Sequence, residues 1–142
     1  MMAGNSPMLR TEQLNLFYGD FQALKDIGLS IQPNRITSII GPSGCGKSTL
    51  LRVFNRMNDI IEDARVTGRV FLADQDIYGP RVDLLNLRKR VGMVFQRPNP
   101  FPLSVFDNVT FGIKIQHLYD NKKDALVEAA RRSLQAVLLW EE

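Results

Sequence analysis

One cysteine and one histidine are all the chain holds of these two types in 142 residues. A single thiol, Cys45, excludes an internal disulfide and agrees with a reducing compartment. A nucleophilic thiol wants a neighbouring base, and His117 stands far from Cys45 along the chain, so Cys45 reads as a small filler in a tight loop. His117 reads as a surface residue at a helix end. Long apolar runs are also missing. Lys, Arg, Asp or Gly interrupts every hydrophobic segment, and none approaches the roughly 20 residues of a membrane-spanning helix. Met1 to Arg10 has neither the basic start nor the apolar stretch of about 7 to 15 residues that marks a secretory signal. A soluble, cytosolic chain able to dock on a membrane protein is the expectation. Charge of one sign is scarce too: 18 Lys and Arg stand against 15 Asp and Glu, a net +3 with the signs mixed along the chain. That pattern implies no nucleic-acid partner.

What is present suffices for a core, since 44% of the residues are hydrophobic, and one globular unit is the default at this length. Residues 1–8, with Gly4, Asn5, Ser6 and Pro7, lack periodicity and read as a flexible leader. From Leu9 to Ile31 two strands are expected, joined at Tyr18-Gly19-Asp20 as an antiparallel hairpin. Arg35 to Ile40 reads as a short apolar strand running into a glycine-rich loop and then a helix, Lys47 to Met57. A polar connection near Asp59 to Arg65 leads to a strand at Gly68 to Ala73, a turn-rich patch and a helix over Val82 to Arg90. Val91 to Phe95 has the composition of a buried strand. The prolines at 98, 100 and 102 forbid helix or ladder pairing and leave Phe101 on a displayed loop. Ser104 and Asp107 have the spacing of a helix cap ahead of Val105, Val109 and Ile113. Lys122 to Leu139 reads as an amphipathic helix that buries Leu126, Ala130, Leu134 and Leu138.

The chemistry sits in Gly41-Pro42-Ser43-Gly44-Cys45-Gly46-Lys47-Ser48, which satisfies G-x-x-x-x-G-K-[ST] between an expected strand and an expected helix. Glycines at 41, 44 and 46 let the backbone turn sharply and aim its N–H groups at an anion. The helix beginning there adds unsatisfied N–H groups and the positive end of its dipole. Lys47 can reach the β and γ phosphates of a nucleoside triphosphate, and the Ser48 hydroxyl can ligate Mg²⁺. A phosphate cradle alone does not say what becomes of the phosphate.

The flanking residues narrow the choice. Gly41 to Arg52, Asn55-Arg56-Met57-Asn58-Asp59, and Leu87 to Asn108 with its Phe95-Gln96-Arg97-Pro98-Asn99-Pro100-Phe101-Pro102 core resemble the nucleotide-binding subunits of ABC transporters. Within that family they are most similar to the phosphate-importer branch. The resemblance covers the chain from about Leu9 onward. It implies an α/β P-loop NTPase fold of the ABC ATPase type, with an antiparallel β-subdomain and an incomplete parallel core sheet flanked by helices. It implies ATP and Mg²⁺ as cofactors, an ATP site built from Tyr18 and Gly41 through Thr49 (Gly41, Pro42, Ser43, Gly44, Cys45, Gly46, Lys47, Ser48 and Thr49), and Tyr18 stacked on adenine. Ser48 and Gln96 would meet the metal, with Gln96 also near the attacking water. Transmembrane permease subunits would dock near Asn99 to Phe106, a second ATP-binding subunit would complete a dimer, and the protein would sit peripherally on the cytoplasmic face of the inner membrane.

The Leu-Ser-Gly-Gly-Gln signature, the strand carrying Asp and a catalytic Glu, and the later switch histidine of that family are absent from these residues. Val137-Leu138-Leu139-Trp140-Glu141-Glu142 imitates that strand, but it continues the period of the preceding helix and has Glu where Asp is expected. Residues 9–142 therefore read as the N-terminal part of such a domain, truncated before the signature and Walker B, with no complete catalytic set and an exposed sheet edge. A nucleotide-binding or docking module without hydrolysis is the alternative. A small P-loop kinase is a further one, disfavoured because Arg131 and Arg132 lie in an amphipathic helix instead of a lid.

Overall fold

The computed structural model describes residues 6–116, 118 and 123–141. The expectations for His117, for Lys122 as a helix start, for residues 1–5 of the leader and for Glu142 fall outside that set. Composition pointed to one unit; the chain divides into two, Met1–Val94 and Phe95–Glu142.

In the first unit, strands β1 (Leu9–Tyr18) and β2 (Phe21–Ile31) form the expected hairpin around Gly19-Asp20. Strands β3 (Ala64–Leu72) and β4 (Gln75–Asp76) extend it into an antiparallel sheet of order β2-β1-β3-β4. The two-residue period of a strand puts Leu14 and Leu16 on one face. There they join Leu24, Val70 and Leu72 with Leu50, Val53 and Phe54 from the segment after the glycine-rich loop, and with Ile77 and Leu87. Each such fully buried side chain contributes about 1.5–3 kcal/mol, which makes this cluster the main source of order in the unit.

The sheet is irregular near Thr11 to Asn15. Register shifts fall between Thr11 and Leu14 toward β2 and between Glu12 and Asn15 toward β3, and Gln13 takes φ 47°. Thr11 fills the gap with its side chain: Oγ1 donates to the Ile27 carbonyl at 2.8 Å and accepts the Leu29 N–H at 2.9 Å. Across from the bulge Gly68 has φ 89°, and any Cβ there would collide with the Gln13 carbonyl, so the position admits only glycine.

Helix α1 spans Lys47–Val53, four residues short of the expected Met57. The chain leaves the helix because Arg56 turns into the left-handed region (φ 56°) while the Asn55 side chain accepts the Met57 N–H; a short 3₁₀ turn, Met57–Ile60, follows. β3 starts at Ala64, four residues before Gly68, because Ala64 and Arg65 find partners in Tyr18 and Phe17; cross-strand pairing overrides their polar neighbourhood. Helix α2 (Leu84–Arg90) is capped by Asp83, whose carboxylate accepts the N–H groups of Leu85 and Asn86.

Two expected strands do not form. Arg35 to Ile40 and Val91 to Phe95 carry no ladder pairing, and the sheet described is wholly antiparallel, so the parallel core sheet is absent among the described residues. A strand of a parallel sheet is stable only with neighbours beside it and cover on both faces. Lacking these, Ile36 and Val94 stand 98% and 97% exposed.

In the second unit, α3 (Val105–Ile115) begins at the expected cap. Ser104 Oγ accepts the Asp107 N–H at 3.0 Å and donates to the Asp107 carboxylate at 2.6 Å. The preceding loop is held by one side chain. Asn108 accepts the Phe101 N–H and donates to the carbonyls of Phe101, Leu103 and Ser104, all within 3.1 Å, while the Phe101 ring lies 4.1 Å from that of Phe111. Helix α4 (Lys123–Ala136) buries Ala130 and half-buries Leu126 and Leu134. It stops three residues before the expected Leu139. Leu138 turns to φ 61° and is exposed, so it is not on the buried face, and Val137 to Trp140 form neither strand nor helix.

Exposed apolar residues on unpaired backbone favour association. The 142-residue chain is expected to aggregate on heating, and Ile36→Lys with Val94→Lys to reduce the light scattering; a reversible, cooperative melt of pure monomer would count against this. A second expectation concerns acid. The bonds from Lys114 and Ser104 hold the Asp107 carboxyl below its usual range. A depressed folded pKa stabilises above the unfolded value of about 3.9, and that contribution is lost as pH falls through the folded value. The first turn of α3 should fray below about pH 4, with Asp107→Asn flattening that dependence in amide chemical shifts.

Candidate functional site

The loop Gly41 to Gly46 takes its shape from two glycines in conformations other residues avoid, Gly44 at φ 81° and Gly46 at φ 94°. Gly46 is also the N-cap of α1, with no side chain to satisfy the helix N-terminus. The first-turn N–H groups of Lys47, Ser48 and Thr49 therefore have no acceptor within their own helix. Gly46 packs tightly on β2: a Cβ there would lie 3.0 Å from Leu24 Cδ2 and 3.1 Å from the Ala23 carbonyl oxygen.

Lys47 closes the loop on itself. Its Nζ donates to the carbonyls of Gly41 at 2.8 Å and Pro42 at 2.5 Å, and lies 3.5 Å from Cys45 Sγ. The ammonium thus stands over the loop backbone, held by weak neutral acceptors that an anion would outcompete. Cys45 is exposed, yet its sulfur lies over Gly41, where a Cβ would approach it to 2.9 Å; it fills the loop, as its sequence position implied.

A cleft of about 200 Å³ opens beside this loop, lined by Tyr18, Phe21, Ala23, Gly44, Gly46, Lys47, Ser48 and Thr49. Six of the residues expected from sequence meet here. Gly41, Pro42, Ser43 and Cys45 build the loop without lining the cleft. Gln96 is exposed and belongs to the second unit, Phe95–Glu142.

Sequence reasoning missed three participants. Phe21 and Ala23 enter because the hairpin pairs Tyr18 with Phe21, a consequence of the two-residue turn that was legible in the register. Asn58 is the third. Fully buried, it accepts the Tyr18 hydroxyl proton at 3.0 Å and donates to the Thr49 carbonyl at 3.0 Å. Its segment is fastened by α2 and by the turn after β4: Arg88 donates to the carbonyls of Asn55 and Arg56, and Tyr78 donates to the Val53 carbonyl at 3.3 Å. Burial, with Asp59 adding and Arg56 opposing, pushes the Tyr78 hydroxyl well above its usual value, so it acts as a donor at any working pH.

For a metal the donor set is narrow. Among the described residues no three His, Cys, Asp or Glu cluster. A hard cation that keeps several waters and takes one or two protein oxygens plus phosphate oxygens fits the Ser48 hydroxyl.

A glycine-rich loop capped by a lysine and opening a helix beside a sheet defines a P-loop NTPase. The chain belongs to the ABC transporter family, whose match extends over residues 24–142. It is 54% identical over 131 residues to the phosphate import ATP-binding protein PstB 1 of Vibrio parahaemolyticus, an alignment covering 92% of this chain and 47% of that protein. The chain therefore spans about half the length of this relative, and the phosphate-importer likeness read from Asn55 to Asp59 and Leu87 to Asn108 agrees with the match.

Because Gly46 combines positive φ with contact to β2, Gly46→Ala is expected to cost at least about 1 kcal/mol. A urea titration should show the lowered midpoint, and an unchanged midpoint would mean that the loop relaxes freely.

Proposed function

We propose that the chain supplies the nucleotide-binding part of an ABC-type phosphate importer, holding ATP with Mg²⁺ against the loop from Gly41 to Ser48. The observation that carries the reading is the cleft that unites Tyr18 with Gly44, Gly46, Lys47, Ser48 and Thr49. An aromatic ring at one end and a phosphate cradle at the other suit a molecule with a flat base and a polyphosphate tail.

In this reading the amides of Gly44 to Thr49 take the phosphates and Lys47 leaves the Gly41 and Pro42 carbonyls to meet the β and γ oxygens. Ser48 gives its hydroxyl to Mg²⁺, and Tyr18 lies against adenine. The ion supplies charge neutralisation on the phosphates. For Gln96, which lies in the second unit, a contact to the metal or the attacking water is what the family likeness implies. About 200 Å³ is below the roughly 300 Å³ of small-ligand pockets, which supports a half-site that a second ATP-binding subunit completes. Permease subunits dock on the displayed segment Asn99 to Phe106, placing the protein on the cytoplasmic face of the inner membrane. The relative's printed role, phosphate import, supports the transported ion; no residue of this chain would need to touch it.

Binding of a fluorescent ATP analogue with Mg²⁺, compared between wild type and Lys47→Ala, tests the reading. Losing a charge-assisted contact worth about 1.5–3 kcal/mol should weaken binding by roughly 10- to 100-fold. Equal affinity in the two proteins would overturn it.

A further inference from the structure

We infer that Asn58 is a positioning residue that ties the base-binding ring to the phosphate-binding helix and so fixes the span between the two ends of the nucleotide. The inference rests on the proposal that Tyr18 lies against the base. Tyr18 is anchored at two points. Its backbone ends β1 in the hairpin, paired with Phe21 and Ala64, and its hydroxyl, at the far end of the ring, donates to Asn58 Oδ1 at 3.0 Å. A ring held at both ends keeps its χ angles without needing a ligand to order it.

The second bond of Asn58 gives the tether its meaning. Nδ2 donates at 3.0 Å to the carbonyl of Thr49, which lies in the first turn of α1 beside Ser48 and two residues from Lys47. A chain of two hydrogen bonds therefore runs from the aromatic ring to the turn that carries the phosphate-binding residues. Asn58 is 0% exposed, and a buried polar group left unpaired is costly. The Asn58 segment cannot drift either, because Arg88 and Tyr78 grip the carbonyls of Val53, Asn55 and Arg56. Asn58 touches neither base nor phosphate; it acts through Tyr18.

A role in spacing separates from a role in folding by the ligand used. Inorganic tripolyphosphate engages the loop but has no base, whereas ATP engages both ends. Tyr18→Phe keeps the ring and removes the tether. It should weaken ATP about two- to tenfold, the equivalent of one hydrogen bond, while leaving tripolyphosphate unchanged. Tyr18→Phe strands a buried Asn58 oxygen and should lower thermal stability as well; unchanged tripolyphosphate affinity in the same protein would show that the loop itself is intact. Tyr18→Ala should weaken ATP further, again without effect on tripolyphosphate. If Tyr18→Ala weakens ATP but Tyr18→Phe matches wild type, the tether is overturned and the base reading stands. Equal weakening of both ligands by Tyr18→Phe would also overturn it, as general damage to the loop. If Tyr18→Ala leaves the ratio of the two affinities unchanged, the base reading falls and the tether's role with it.

Discussion

Helix α1 has seven residues, far fewer than the roughly 12–15 an isolated helix needs to persist in water. The site depends on holding it in place anyway, because its first turn presents Lys47, Ser48 and Thr49. Burial does most of this, with Leu50, Val53 and Phe54 pressed onto Leu14, Leu16, Leu24, Val70 and Leu72. Side chains from elsewhere then take carbonyls in and after its last turn: Tyr78 that of Val53, Arg88 those of Asn55 and Arg56. The antiparallel sheet is thus the platform on which the glycine-rich loop is mounted, and the close approach of Gly46 to Ala23 and Leu24 is where platform and loop touch.

The loop itself is organised around a cation. Lys47 is drawn onto the Gly41 and Pro42 carbonyls, so part of its charge is met by backbone dipoles. Such an arrangement holds a concave loop together before any anion arrives, and it leaves the ammonium within a short swing of the cleft.

How much of this could be read beforehand varied with the range of the forces. The hairpin, the Ser104 cap and the glycine loop are set by neighbours within a few residues, and each was legible. Element ends were less so: α1 was expected to reach Met57, but a left-handed Arg56 and the side chain of Asn55 end it first. α4 stops at Ala136 with Leu138 turned outward, which period-four spacing of leucines could not reveal. Arg35 to Ile40 and Val91 to Phe95 have strand composition, but a strand is a property of a pair, and no partner appears beside them among the described residues. Within the site, Tyr18 and the loop were legible as a motif with its context. Asn58 lies inside a stretch that resembles the family, yet a contact 40 residues away from Tyr18 leaves no local trace.

The loop before α3 has a kinetic side. Three prolines restrict its backbone and one side chain, Asn108, bonds four of its main-chain groups. A surface shaped in this way arrives at an encounter already in one conformation, so that ordering the segment adds little to the barrier. In the docking proposed above, association at Phe101 would proceed at the unassisted rate of about 10⁵–10⁷ M⁻¹s⁻¹, and differences in lifetime between complexes would reflect how fast the partner lets go.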